Sequence, residues 1–279
     1  MANRHFAKFA DIWKHLPLVE VLTIERPEHY WESHAGSAFY PLRPSPERAY
    51  GIYYFLSHTA DSRLAGSAYE RALARLPHRD GFPIRYPGSA ALAMLTLGAG
   101  ARYLLCDRDQ VSADDLERAA ALLNLTGRVN VVRKDGPATV WAAYSHLPAA
   151  EAASVLCHID PFDSFAREPG GPSSIQLFER LARGGVRTIY WYAYEGLAQR
   201  GWLKSQLDTD VDAWFGDILL PERDESGLIG LGVALANVSQ LSIERCAEFG
   251  KTLERVYDNA PLPSGARGSI QFTVVDSRT

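Results

Sequence analysis

From residue 100 onward, apolar runs of strand length alternate with amphipathic runs of helix length, and this alternation most constrains the fold. Arg102-Tyr103-Leu104-Leu105-Cys106 reads as a buried strand. Ser112-Ala113-Asp114-Asp115 opens a helix through Leu125, with Ser112 as its N-cap, and Gly127 stops it. Residues 128–133 read as a strand, 137–148 as a helix, 153–159 as a buried strand ending at Asp160-Pro161, 173–183 as a helix and 186–194 as an aromatic strand. A helix over 239–256 separates two closing strands at 229–238 and 269–275. Strands and helices alternating at these lengths predict a doubly wound, mostly parallel α/β sheet. With 279 residues, 47% of them hydrophobic, one core suffices, so 1–279 reads as a single domain. The stretch 41–87, rich in Pro, Arg and Tyr with helical patches, reads as an inserted helical lobe.

Composition narrows the partners. The formal net charge is −4 and no block of five like charges occurs, which argues against a protein that wraps nucleic acid. No apolar run approaches the roughly 18 residues of a membrane span. Met1-Ala2-Asn3-Arg4-His5 has no basic-then-apolar signal pattern, and Cys106, Cys157 and Cys246 share no metal-ligand spacing. The expectation is a cytoplasmic enzyme with reduced thiols, no metal and no membrane partner. Nothing in the composition points to an oligomeric state.

In a doubly wound sheet a ligand lies outside the carboxyl ends of the strands. Those ends read Glu32-Ser33-His34-Ala35-Gly36, Asp107, Lys134-Asp135-Gly136, Asp160-Pro161-Phe162-Asp163 and Tyr194-Glu195. A carboxylate such as Asp107 can accept both ribose hydroxyls of a nucleoside, and it can equally cap the next helix. Asp135-Gly136 can hold an adenine edge or make a turn. His34-Ala35-Gly36-Ser37 is a loose glycine loop, less specific than GxGxxG.

Taken in order, these motifs resemble one family over nearly the whole chain: the bacterial 23S ribosomal RNA adenine-N6 methyltransferases of the large-subunit methyltransferase J type. The resemblance runs through His5, Ala10-Asp11-Ile12-Trp13-Lys14-His15, Ser33-His34-Ala35-Gly36 and Arg85-Tyr86-Pro87-Gly88-Ser89. It continues through Asp107, Asp135-Gly136 and Ile159-Asp160-Pro161. It implies a class I (Rossmann-like) methyltransferase fold and a pocket for S-adenosylmethionine (SAM). By position Lys14, His15, His34 and Ser89 would hold the methionine portion, Asp107 the ribose, and Asp135 with Gly136 the adenine, with Asp160 beside the reacting centre.

The departures cluster on the acceptor side. Adenine-N6 methyltransferases use Asp-Pro-Pro-aromatic, in which the acid aligns the exocyclic amine and the ring stacks on the base. Here the segment is Asp160-Pro161-Phe162-Asp163. Losing the ring would remove a stacking contact worth roughly 1–3 kcal/mol. A tryptophan-tyrosine-proline run has become Ala193-Tyr194-Glu195, and an asparagine-proline-proline run has become Asn237-Val238-Ser239. A retained donor site beside an altered acceptor site suggests that SAM itself is the substrate. A nucleophile within its aminocarboxypropyl arm would then displace methylthioadenosine and give 1-aminocyclopropane-1-carboxylate or azetidine-2-carboxylate. Asp160 would order the pocket, with the base drawn from Asp163 or the histidines His5, His15 and His34. Glu195 is a further added acid. The alternative is N-methyl transfer to a small amine or to an rRNA adenine; a SAM-binding protein without turnover forms a third class.

Overall fold

The structure, a computed structural model, describes residues 6–60, 62–163, 171–207 and 211–276. Its main sheet has eight strands: β1 (His29–Glu32), β2 (Arg102–Cys106), β3 (Val129–Val132), β4 (Val155–Ile159), β5 (Arg187–Tyr194), β6 (Ala213–Leu219), β7 (Gly230–Ala236) and β8 (Gln271–Asp276). Across the sheet they run β8-β6-β7-β5-β4-β1-β2-β3. From β3 to β5 every pairing is parallel. Strand β7 lies antiparallel between β5 and β6, and β8 is antiparallel on the outer edge of β6.

The helices α1 (Phe9–Glu25), α2 (Ser89–Leu97), α3 (Gln110–Leu122), α4 (Gly136–Ser145), α5 (Ser174–Arg183), α6 (Leu197–Leu207) and α7 (Gln240–Val256) cover both faces. Successive strand side chains point to opposite faces, so each strand serves two cores. Tyr30, Leu156 and Ile189 pack with Leu16 and Val19 of α1, Leu116 of α3 and Phe249 of α7. Trp31, Cys157 and Tyr190 pack with Val140 of α4, Phe178 and Leu181 of α5 and Leu203 of α6. The chain leaves β1 towards β2 and β3 on one side and returns to β4 on the other. The crevice at the β1/β4 switch is therefore where a ligand belongs.

Two contacts position the segments beside that crevice. Helix α1 lies close on the sheet because Gly216 has no side chain: a Cβ there would come within 2.9 Å of Trp13. The Trp13 indole N–H donates to the Gly216 carbonyl at 3.2 Å. This seat brings Lys14 against Asp160 at the end of β4. The 33–37 loop turns back over β2 at Gly36, whose φ of +59° is left-handed and suits glycine.

Several boundaries differ from those read in the sequence. Helix α3 begins at Gln110, and its cap is Asp109, whose side chain accepts the Ser112 backbone N–H at 3.0 Å. Ser112 sits inside the first turn, because the carboxylate of Asp109, the third residue after β2, captures the free N–H groups before it can. Residues 149–154 form a 3-10 turn, so β4 starts only at Val155. Strand β6 and helix α6 fall in a stretch where the sequence suggested no element. Between residues 41 and 87 the chain is helical at 46–58 and 68–74, with short strands at 78–79, 82–83 and 85–87. Among the described residues no helix is long and apolar enough to cross a membrane.

The Asp109 cap is testable. The Ser112 backbone hydrogen bond, helped by the Ser112 hydroxyl, holds its carboxyl below the usual range against the opposing effect of burial. The cap therefore contributes fully above the ordinary carboxylate pKa and fades as pH falls through the lowered value. Asp109→Ala should destabilise the fold by about 1 kcal/mol at neutral pH. Urea unfolding would measure this, and the difference should shrink in acid.

Candidate functional site

Loop 33–37 after β1, Asp107 after β2, the start of α4 after β3 and the segment after β4 converge on one cavity of about 310 Å³, within the range of small-molecule sites. Its lining includes His34, Asp107, Asp135, Gly136 and Asp163 from the sequence-derived set. Arg108 and Lys134 line it as well, and Pro137, Phe162 and Pro172 add apolar surfaces suited to a flat ring.

The loop is fixed by backbone hydrogen bonds. Ala35 N–H donates to the Cys106 carbonyl at 2.9 Å and Gly36 N–H to Asp107 Oδ2 at 2.8 Å. Asp107 Oδ1 accepts the Asp109 N–H at 2.8 Å. Each Asp107 oxygen has one backbone partner, and its second lone pair can accept a hydroxyl. Asp135 caps α4 through Ala138 N–H at 2.8 Å and pairs with Arg108. Gly136 is required by contact: a Cβ would lie 1.6 Å from the Ser33 carbonyl oxygen.

His34 stands at the centre of this arrangement, its Nδ1 2.8 Å from Ser33 Oγ. Burial lowers its pKa below the ordinary histidine value, opposed by Asp160, Asp107 and Asp135 and reinforced by Arg108. At neutral pH the ring is therefore neutral.

Lys14, His15, Ser89 and Asp160 form a second cluster outside that lining, with His15 and Ser89 buried and Lys14 and Asp160 partly so. Lys14 Nζ lies 2.8 Å from Asp160 Oδ2 and 3.1 Å from Asp11 Oδ1, and 5.3 Å above the Trp191 ring. Burial would lower its pKa, but the Asp160 and Asp11 carboxylates outweigh burial and hold it above the usual lysine value. Lys14 is a fixed cation. His15 Nδ1 lies 2.8 Å from the Tyr86 hydroxyl, itself 2.9 Å from that of Tyr69. Burial, then Lys14 and His158, push His15 well below its ordinary pKa.

Ser89 donates to Glu32, which the sequence-derived residue set omitted. Glu32 is fully buried and also accepts from Tyr30 OH and from His158 Nδ1, each at 2.9 Å. The only sequence signal for Glu32 was an acid closing a central strand. Tyr86 and His158 were likewise missed as site residues, because their partners His15 and Glu32 are remote in the chain, and Asp11 was missed although its partner Lys14 is one turn away.

Of the remaining expected residues, Glu195 is exposed at the end of β5. His5 lies outside the described residues. Phe162 is 93% exposed at the cavity. Among the described residues no three His, Cys, Asp or Glu side chains gather as metal ligands.

No protein-family model matches the chain, and no curated protein matches it. Among solved structures it is similar to protein LPL1258 of Legionella pneumophila, of family DUF519, with a TM-score of 0.76 and 19% identity over 98% of both chains. It also matches an O-methyltransferase from Bacillus cereus in complex with SAH (TM-score 0.44, 12% identity, 84% of each chain). A SAM-dependent methyltransferase from Agrobacterium tumefaciens gives a TM-score of 0.43 at 11% identity, over 85% of this chain and 65% of that one. The strand order, 3-2-1-4-5 followed by a reversed seventh strand and then the sixth, is that of the class I methyltransferase sheet. The chain has the class I methyltransferase fold.

Proposed function

We propose that this chain is a SAM-dependent enzyme of the methyltransferase superfamily that consumes SAM by internal displacement. In this reading Asp107 takes the ribose hydroxyls, and Gly136 with the Pro137, Phe162 and Pro172 surfaces takes the adenine. The methionine arm passes His34 towards Lys14 and Ser89. The α-amine attacks Cγ, methylthioadenosine leaves, and a cyclic amino acid remains. Amine attack gives azetidine-2-carboxylate; attack by the α-carbon would give 1-aminocyclopropane-1-carboxylate and needs the harder deprotonation. Kinship with the rRNA adenine-N6 methyltransferases is retained as the origin of the donor site.

The observation that carries this reading is the acceptor side of the cavity. Asp160 Oδ2 is paired at 2.8 Å with Lys14, which is held as a cation, so Oδ1 is the oxygen left to accept from an amine. The position of the stacking ring is filled by Asp163, which lines the nucleoside cavity. A second reading, N-methyl transfer to a small amine, is favoured by the exposed Phe162 ring beside the retained Asp160-Pro161.

Incubation of the protein with SAM alone separates the two. Internal displacement predicts methylthioadenosine with no added acceptor, read by mass spectrometry. S-adenosylhomocysteine formed only when an amine or an unmodified RNA is supplied would replace it with methyl transfer.

A further inference from the structure

We propose that His34 is the general base of ring closure, taking a proton from the α-ammonium of bound SAM through Nε2 while Ser33 holds the ring through Nδ1. This rests on the internal-displacement reading above.

The geometry has three parts. His34 lines the cavity and feels the charge of Asp160, the partner of Lys14. Its anchor is rigid: Ser33 is 1% exposed, its N–H donates to the His158 carbonyl at 3.2 Å, and its own carbonyl lies against Gly136. The tautomer this base requires carries the ring hydrogen on Nδ1, 2.8 Å from Ser33 Oγ, which leaves the lone pair on Nε2. The charged groups around the ring include Asp160, Asp107, Asp135 and Arg108, with Lys134 and Asp163 lining the same cavity. Three carboxylates thus stand ready to stabilise the imidazolium once it forms. Two other polar groups in the neighbouring cluster are unsuited to accept that proton, because Lys14 is held protonated and His15 is buried and does not line the cavity.

The step balances. His34 takes one proton from the α-ammonium, and the freed amine pair forms the N–Cγ bond. The Cγ–S bond breaks with its electron pair going to sulfur, so the sulfonium becomes the neutral thioether of methylthioadenosine. The ring nitrogen keeps its two remaining hydrogens as an ammonium, and the proton on His34 passes to water.

The test compares native protein with His34→Ala and His34→Gln, measuring methylthioadenosine formation and, by calorimetry, SAM binding. His34→Ala should lower kcat by about 10²–10⁴-fold while SAM affinity changes by less than about tenfold. Added imidazole should restore part of the lost rate to His34→Ala, which a purely structural role would not allow. Native kcat should hold as pH falls through the ordinary histidine value of about 6.5 and drop only below it, and His34→Gln should lack that acid limb. Variants within about threefold of native turnover, or a loss confined to SAM affinity, would overturn the assignment while leaving displacement intact. Native protein that forms no methylthioadenosine would overturn the displacement reading and the base with it.

Discussion

Lys14→Met should destabilise the protein by about 3–5 kcal/mol, because it strips the cation from two carboxylates that have little contact with water. The side chains of Lys14 and Asp160 are each 14% exposed and that of Asp11 is 9% exposed. Methionine has a side chain of similar length and removes the charge together with its contact over the Trp191 ring. Thermal unfolding should fall by on the order of 10 °C. Lys14 has a raised pKa in the folded state, so its contribution is complete below the ordinary lysine value and is lost only as pH rises through the raised one. The gap between native and variant should therefore stay level from about pH 6 to 9. A shift below about 1 kcal/mol would mean that the ion pair is no stronger than a surface contact.

Gly136→Ala should weaken SAM binding by about 5- to 150-fold, the equivalent of the roughly 1–3 kcal/mol that overpacking costs. The added methyl would lie 1.6 Å from the Ser33 oxygen and 2.5 Å from its carbonyl carbon, both backbone atoms that no rotamer change can move. Either loop 33–37 or the first turn of α4 must shift, and the cavity lies between them. Gly127→Ala is the matched control, since nothing lies within 4 Å of a Cβ there. Equal SAM affinity in Gly136→Ala and native protein would remove this corner of the cavity from the binding site.

Much of the fold is legible because parallel strands covered on both faces read as nearly unbroken apolar runs, as Val155–Ile159 and the aromatic β5 do. Strand β6 was hidden for a physical reason. Asp217 interrupts its apolar run, yet it is 1% exposed and serves as the common acceptor of Tyr192, Arg200 and Lys204. A charge in a strand reads as solvent-facing until those partners are known. Helix α6 supplies two of them, and Gly201 in its middle masks its own signal. Cap chemistry misled at α3, where Asp109 and Ser112 are both good caps and only the loop length chooses between them.

The site was legible as a set of residues at strand ends and illegible as a set of pairs. Asp107, Asp135 and His34 share one cavity as their positions suggested. The bonds from Lys14 to Asp160 and from Glu32 to Ser89 and His158 span 146, 57 and 126 residues, and no local pattern encodes them. The first of these pairings narrows the chemistry, because it leaves Oδ1 as the open acceptor of Asp160.

The most direct test uses SAM deuterated at the α-carbon, with no other acceptor present, and mass analysis of both products. Internal attack by the amine predicts methylthioadenosine and a cyclic amino acid that keeps the deuterium, since only a nitrogen-bound proton leaves. Loss of the label would assign the ring closure to the α-carbon. Intact SAM, or S-adenosylhomocysteine that appears only with an added acceptor, would contradict internal displacement itself.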